Sequence, residues 1–259
     1  MAKGIWRPLD FGEETAWLGG VDSTESVTGF DPEGWEASIW IAHTMYELPG
    51  MNFGYTHDDA HRARLAAGIE EPMIIGSVNL DEVTTVTGGQ LGFSGRPSEW
   101  WVRLRWAELA ARMGTSLDDQ EFPPCFRWFP YRSWPASIQP PPEGSLDQLS
   151  LDTLIPHLSA SAASGECVAA FGLLAAGMYE EAIRCFRGPV SQVEDLIDRS
   201  ESRVGTPSNI WSIDRSWFVY TDSDLWGTKV SGSQSLIDDL ISDPHLETLA
   251  WFPPERPHE

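Results

Sequence analysis

The chain has 259 residues, and its 39 Asp and Glu outnumber its 17 Lys and Arg to give a formal net charge of −22. Such a chain repels nucleic acid and anionic lipid, which excludes both as partners and favours a basic partner or simple solubility. A hydrophobic content of 41% with 13 tryptophans is ample for a packed core and excludes a disordered chain. The length fits one large domain or two modest ones.

The cysteines and the N-terminal segment predict a reducing compartment. Cys125, Cys167 and Cys185 are odd in number and form no C-x-x-C pair, so we expect buried, reduced thiols. The N-terminal segment lacks the apolar core of a signal peptide, and the longest apolar stretches are far shorter than a membrane span. We therefore expect a cytoplasmic protein.

The first part of the chain predicts mixed α and β structure. Residues 35–47, bounded by proline and glycine on both sides, are predicted as a strand. Residues 56–67 predict a helix, because Thr56 can cap its start and Gly68 ends it. Residues 72–79 are predicted as a buried strand.

A strand followed by a helix is predicted before the middle of the chain. Over residues 100–106, four apolar residues alternate with Trp101, Arg103 and Arg105, which is strand periodicity. Residues 107–113 then predict a helix that Gly114 stops.

A proline-rich tract at residues 135–145 is the clearest break in the chain. Its three consecutive prolines favour an extended backbone and stop both helix and sheet. We interpret it as a linker between an N-terminal α+β domain, residues 1–134, and a C-terminal α+β domain, residues 146–259.

The C-terminal part predicts helices and strands that alternate. Together they predict an α+β fold with mainly antiparallel sheets and helices packed on one face. The predicted elements are a helix capped by Ser145 and running to about residue 155, strands at 167–174 and 182–187, a helix at 191–199 capped by Ser191, a hairpin of 216–221 with 225–230, a helix capped by Ser233, and a strand at 246–251.

One tract resembles a known family. Residues 214–233 read DRSWFVYTDSDLWGTKVSGS and are followed by Leu-Ile-x-x-Leu and Asp-Pro-x-Leu-Glu. With the segment Pro-Pro-Pro-Glu-Gly-Ser-Leu-Asp at 140–147, this resembles the C-terminal half of an uncharacterised actinobacterial two-domain protein family, mainly over residues 140–252. The resemblance implies an immunity-like or antitoxin-like role, and it implies no functional residues.

A histidine and carboxylate set could bind a metal ion. His43 and Glu47 are four residues apart, as are His57 and His61, and such pairs share one face of a helix. On the strand predicted at 35–47, His43 and Glu47 would also share a face but would lie too far apart to hold one metal ion. Two or more imidazoles with a carboxylate suit zinc or iron and would support a metal-dependent hydrolase. The alternative is that His57 and His61 lie on a solvated helix face, and the chain has no H-E-x-x-H motif.

Asp222 and Asp224 form a second carboxylate pair, in the predicted turn of a hairpin with Lys229 on its returning strand. Paired carboxylates can carry out acid–base chemistry or hold a cation. Aspartate also forms turns for purely local reasons, and we favour that interpretation.

Tryptophan is concentrated in the middle of the chain. Trp100 and Trp101 are adjacent, so a strand would direct them to opposite faces and expose one of them. An exposed tryptophan beside carboxylates can anchor a cationic partner, although for most of the tryptophans we favour core packing. The candidate partner-binding residues are Trp100, Trp101, Trp128, Trp134, Asp222, Asp224 and Trp226.

Three functions remain open at this point. The first is an acidic protein-binding module that neutralises a basic partner such as a toxin, because opposite net charges speed association. The second is the metal-dependent hydrolase, with zinc or iron as its cofactor. The third is a scaffold component of a larger assembly. The absence of a catalytic signature leads us to expect the binding module, with no catalytic residue and no cofactor.

Overall fold

Helices and antiparallel strands are mixed along the chain, which confirms the predicted α+β fold class. The computed structural model describes residues 5–10, 14, 16–18, 31–86, 88–117, 123–125, 128, 133–171, 184–197 and 205–250. Within these ranges the helices are α1 (His57–Ala66), α2 (Leu80–Val83), α3 (Trp106–Met113), α4 (Gln148–Ser161) and α5 (Gln234–Ser242), with short 3-10 segments at Ala16–Leu18 and Val190–Leu196.

The strands of the described residues form one large sheet and three small ones. In chain order they are β1 (Arg7–Leu9), β2 (Ala37–Ala42), β3 (Met45–Glu47), β4 (Ile74–Ile75), β5 (Val78–Asn79), β6 (Gln90–Leu91), β7 (Val102–Leu104), β8 (Ile138–Gln139), β9 (Pro142–Glu143), β10 (Glu166–Phe171), β11 (Arg184–Pro189), β12 (Asn209–Ser212), β13 (Trp217–Thr221), β14 (Gly227–Gly232) and β15 (Thr248–Leu249). The large sheet has eight antiparallel strands in the order β1-β11-β10-β12-β13-β14-β2-β15. The small sheets are β7-β3-β8, β4-β5 and the parallel pair β6-β9.

Both faces of the large sheet are buried, because its strands carry apolar residues at successive positions. Neighbouring side chains of a strand point to opposite faces. On β2, Ile39 and Ile41 join one core cluster and Trp40 joins another. On β13, Trp217 joins the first cluster and Phe218 the second.

Helices α4 and α5 cover one of these faces, as predicted. Leu151, Leu154 and Leu158 of α4 and Leu236 and Leu240 of α5 lie in the same cluster as Ile39. Burying each of these leucines contributes about 1.5–3 kcal/mol. The opposite face is covered by an aromatic layer in which the Trp211 and Phe218 rings stack at 5.7 Å.

A third cluster packs between the sheet β7-β3-β8 and helix α3. Met45, Leu104 and Leu109 contribute its aliphatic part and are at most 2% exposed. Its aromatic members are Trp106, Trp128, Trp134 and Trp226.

Strands from both sides of residues 135–145 belong to one sheet. Strand β2 lies between β14 and β15, with Ile41 opposite Thr228 and Thr248. The tract itself contains β8 and β9, and its three consecutive prolines are buried. These facts correct the expectation of a linker between two domains: because β2 is apolar on both faces, it is best buried inside the sheet of the C-terminal part.

Helix α4 begins later and ends later than predicted. Its N-cap is Asp147, not Ser145, because the Asp147 side chain accepts the backbone N–H of Ser150 at 3.0 Å. The helix then continues through Pro156 to Ser161. The leucines that α4 buries on the sheet outweigh the cost of an internal proline, about 3 kcal/mol.

Other predicted elements are confirmed with shifted ends. Thr56 and Ser233 cap α1 and α5, and Gly114, with φ of 67°, ends α3. The strand predicted at 100–106 is shorter, since Trp106 already begins α3. Of the helix predicted at 191–199, Val190–Leu196 is a 3-10 segment with no side-chain cap from Ser191, and 198–199 lie outside the described residues.

The cysteines are free and buried, as predicted. Burial raises the pKa of Cys167 and of Cys185 to about 12, so these thiols are protonated at neutral pH. A protonated thiol is a poor nucleophile, and these two side chains act as core residues.

Candidate functional site

The most unusual surface of the molecule is a segment that we call the arm, residues 56–86. It consists of helix α1, the hairpin β4-β5 and the short helix α2. Thr56 and Asp59 start α1 through a capping box, in which the Thr56 hydroxyl accepts the Asp59 N–H and the Asp59 carboxylate accepts the Thr56 N–H. Gly76, with φ of 63°, lies in the two-residue turn of the hairpin, where a left-handed backbone favours glycine.

The arm has secondary structure but almost no core. No described residue from 47 to 82 is buried. Five large apolar side chains of the arm are between 46% and 72% exposed, namely Ile69, Met73, Ile74, Ile75 and Val78. Residues 72–79 were predicted as a buried strand, and this is wrong because β4 and β5 pair only with each other among the described strands.

Polar contacts hold the hairpin against the helix. The His61 ring bonds to Glu70 Oε2 through Nδ1 at 2.7 Å and to Asp81 Oδ1 through Nε2 at 2.8 Å. Asp81 also accepts the backbone N–H of Met73 at 3.0 Å, and Arg64 pairs with Glu70. The two carboxylates, Asp81 first, raise the pKa of His61, because an imidazolium can donate a proton to each.

A second group of hydrogen bonds fixes the base of the arm to the body. The Asp58 carboxylate accepts the Val86 N–H at 2.7 Å, and the Asp58 N–H donates to Ser133 Oγ at 2.8 Å. The His57 ring bonds through Nε2 to the Ile138 carbonyl at 2.8 Å, and the His57 N–H donates to the Trp134 carbonyl at 2.9 Å. These hydrogen bonds therefore hold the base of the arm in position on the body.

The arm is acidic like the rest of the chain. Its cations are already engaged, since Arg62 pairs with Asp58 and Asp59 and Arg64 pairs with Glu70. Its carboxylates are Asp58, Asp59, Glu70, Glu71, Asp81 and Glu82. The surface is thus an apolar patch on a negatively charged segment.

The arm is expected to be most protected from hydrogen exchange between about pH 5 and 6. The raised pKa of His61 means that its ion pairs contribute fully below about pH 6.5 and are lost as the pH rises through that raised pKa. The pKa values of Glu70 and Asp81 are lowered, mainly by Arg64 and by His61 respectively, so their contribution is lost as the pH falls below about 4.

The pH dependence of protection in the arm can be measured by amide hydrogen exchange at Met73 and Leu80, corrected for the intrinsic pH dependence of exchange. His61→Gln should remove the loss of protection above pH 6, and His245→Gln, an exposed histidine outside the arm, should leave it unchanged. If His61→Gln still lost protection as the pH rises, in the same way as the unchanged protein, the loss could not be assigned to His61.

The histidines and the glutamate of the predicted metal set have separate partners. Buried His43 bonds to the Pro142 carbonyl at 2.9 Å and to Thr228 Oγ1 at 2.8 Å, and burial lowers its pKa. Glu47 accepts from Arg112 at 2.7 Å. His57 and His61 make the arm contacts above, and among the described residues no three His, Cys, Asp or Glu side chains could hold one metal ion.

Most of the tryptophans predicted as partner contacts are core residues. Trp128, Trp134 and Trp226 are at most 4% exposed, and this corrects the prediction for them. They pack edge to face, as in the pair Trp134–Trp226 at 5.0 Å, because such packing buries large rings efficiently. Trp100 is 71% exposed and Trp101 is half-buried.

The predicted carboxylate pair forms a turn. Buried Asp222 accepts the Tyr220 hydroxyl at 2.5 Å and the Asp224 N–H at 2.9 Å, and Asp224 is exposed. Lys229 pairs with Asp31 at 3.0 Å. Asp222 is therefore engaged inside the fold, and only Asp224 of the pair is available to a partner.

Comparisons with known proteins add no relatives: no family model, no curated protein and no solved structure matches the chain. In the described part of the chain, no helix has both the length and the apolar character needed to cross a membrane.

Sequence reasoning missed the arm as a surface. The available signal was Gly76-Ser77 between apolar Ile74-Ile75 and Val78, which is typical of a two-residue hairpin turn. A hairpin at this point would have argued against one continuous buried strand.

Proposed function

We propose that this protein is an acidic protein-binding module that binds a basic partner through the arm, in the manner of an immunity or antitoxin protein. The observation that carries the proposal is the exposure of Ile69, Met73, Ile74, Ile75 and Val78 on a segment with no buried residue of its own from 56 to 82. Several large exposed apolar side chains on one short segment are typical of an interaction site.

The polar contacts of the arm support a binding role. A short helix and a two-stranded hairpin are marginally stable by themselves in water. Here His61, Glu70 and Asp81 hold them together while their apolar side chains remain outside. A surface held in this way before binding loses little conformational freedom when the partner arrives.

Charge determines the kind of partner. The net charge of −22 and the carboxylates of the arm attract a basic protein from a distance, and the apolar patch then supplies short-range contact. Basic toxin domains, such as nucleases that bind phosphate groups, have the complementary charge. Exposed Trp100, together with Asp224, remains a candidate contact outside the arm.

The cytoplasm is the proposed compartment. The free state of Cys125, Cys167 and Cys185 supports it, since thiols stay reduced there.

Polar substitutions on the arm should abolish partner binding without unfolding the protein. Ile74→Ser combined with Ile75→Ser removes two exposed side chains that contribute no core packing, so the thermal unfolding midpoint should stay unchanged. Capture of a basic protein from the source cell, followed by surface plasmon resonance with that protein, should show affinity weakened by at least tenfold, the size of an interface hot spot.

The matched control is Ile241→Ser, which changes an isoleucine on α5 that is also exposed and should leave binding unchanged. Raising the salt concentration should slow association more than it speeds dissociation. Equal loss in both variants, an acidic partner, or binding that does not respond to salt would contradict the proposal.

A further inference from the structure

A second feature is a cavity of about 550 Å³ between strands β3 and β7 and the first turn of helix α4. This volume is in the range of small-molecule sites. Six of the residues that line it are Tyr46, Arg96, Val102, Arg103, Leu149 and Asp152. Two cations in one cavity are unexpected in a chain with more than twice as many acidic as basic residues.

The positive charge of Arg103 is not neutralised by an ion pair. No carboxylate lies within salt-bridge distance of Arg103 in the described part of the chain, and its Nε is buried there without a hydrogen-bond partner. A buried, unpaired donor on a charged group is costly, so the hydrogen-bonding capacity of the Arg103 guanidinium is not fully used within the described fold.

Arg96 is oriented by carbonyl groups and makes no ion pair with a described carboxylate. Its Nε donates to the Trp101 carbonyl at 2.6 Å and its Nη2 to the Glu99 carbonyl at 2.5 Å. These bonds orient the guanidinium and leave its charge uncompensated. Arg96 and Arg103 therefore present two fixed cations to one cavity.

Tyr46 adds a neutral donor to the two cations. Burial raises the pKa of Tyr46 to about 12, so its hydroxyl keeps the proton at neutral pH. Guanidinium N–H groups and a phenol O–H are the donors that bind an oxyanion. The side chains of Val102 and Leu149 supply apolar wall beside them.

The nearby carboxylates limit the charge that the cavity can accept. Asp152 lines it and accepts from Gln148 Nε2 at 2.7 Å. Glu247 and Asp147 act on Arg103 at longer range, and Asp147 also acts on Tyr46. The oxygens of Glu247 accept the Trp106 and Ala107 N–H groups, and those of Asp147 are engaged by Thr44 and Ser150. A singly charged ligand is repelled less by these carboxylates and by the acidic chain than a doubly charged phosphate.

We propose that this cavity binds a small organic monocarboxylate, with its carboxylate between Arg96 and Arg103 and its apolar part against Val102 and Leu149. This site is independent of the arm, and its ligand need not be part of the partner complex.

Titration with sodium propionate, followed by amide chemical shifts at constant ionic strength, tests the proposal on the full chain. Saturable shifts are expected around residues 46, 102–103 and 148–149. Arg103→Gln should weaken binding at least about tenfold, the effect of losing a charged hydrogen bond. Arg62→Gln, which removes the same charge from an exposed site on the arm, should not weaken it.

Sodium phosphate at the same ionic strength is the comparison ligand. The proposal is supported if Arg103→Gln weakens propionate binding and Arg62→Gln does not. Absence of saturable shifts, equal loss in both variants, or binding of phosphate alone would overturn it. If Arg103→Gln fails to fold, Arg96→Gln replaces it, since the Arg96 contacts are exposed and should not be needed for folding.

Discussion

Replacing Trp226 by alanine is expected to lower the free energy of unfolding by about 3–5 kcal/mol, the usual cost of deleting a buried large aromatic side chain. Trp226 is 1% exposed. Its ring lies 5.0 Å from Trp134 and 6.2 Å from Trp106, in edge-to-face contact with both. Alanine would leave a cavity at the centre of the third cluster, where neighbouring rings are too rigid to fill it.

Urea unfolding followed by circular dichroism measures this loss. Trp100→Ala is the matched control, because Trp100 is 71% exposed and should change stability by less than about 0.5 kcal/mol. Trp226→Phe should cost less than the alanine variant, since it keeps an aromatic ring and removes an indole N–H that has no partner in the described chain. If Trp226→Ala lowered the free energy of unfolding no more than Trp100→Ala does, Trp226 would not be a core residue and would again be a candidate partner contact.

Replacing Asp147 by alanine is expected to cost about 3 kcal/mol of stability, from a lost helix cap and unpaired buried donors. The fully buried Asp147 carboxylate accepts the Ser150 N–H at 3.0 Å, the Ser150 hydroxyl at 2.6 Å and the Thr44 N–H at 2.7 Å. It therefore caps α4 and ties that helix to the connection between β2 and β3.

Asp152→Ala on the same helix is the control for Asp147→Ala. Asp152 is exposed and lies outside the cap, so its removal should change the urea midpoint little. Equal midpoints for the two variants would show that the buried contacts of Asp147 contribute little to stability.

The sequence was sufficient to predict features that depend on residues close together along the chain, such as helix ends. Thr56, Ser233 and Gly114 were predicted as helix ends and have those roles, because capping depends on a side chain and the backbone three residues away. Short apolar runs between turn residues likewise located six strands of the large sheet, namely β2, β10, β11, β13, β14 and β15, whereas β1 and β12 were missed. The start of α4 was missed because Ser145 and Asp147 are both good caps, and the contact of Asp147 with distant Thr44 is not visible locally.

The candidate site was harder to predict than the fold. The tryptophan-rich middle of the chain suggested a partner surface, but only Trp100 is largely exposed there, since Trp128, Trp134 and Trp226 fill a core. By contrast, five large apolar residues of the arm are exposed, although composition would place such residues inside the protein. Burial depends on which other elements pack against a segment, and a single sequence does not contain that information directly.

By itself, the sequence determined the acidic character, the α+β class, the reduced cysteines and most helix and strand positions, since these depend on composition and on neighbours along the chain. Only the tertiary structure decided that β2 belongs to the C-terminal sheet and that the histidines predicted to bind a metal ion have separate partners. It also decided that the arm stays outside while Arg96 and Arg103 meet in one cavity. Each of these rests on contacts between residues far apart in the chain, where packing and burial outweigh local preference.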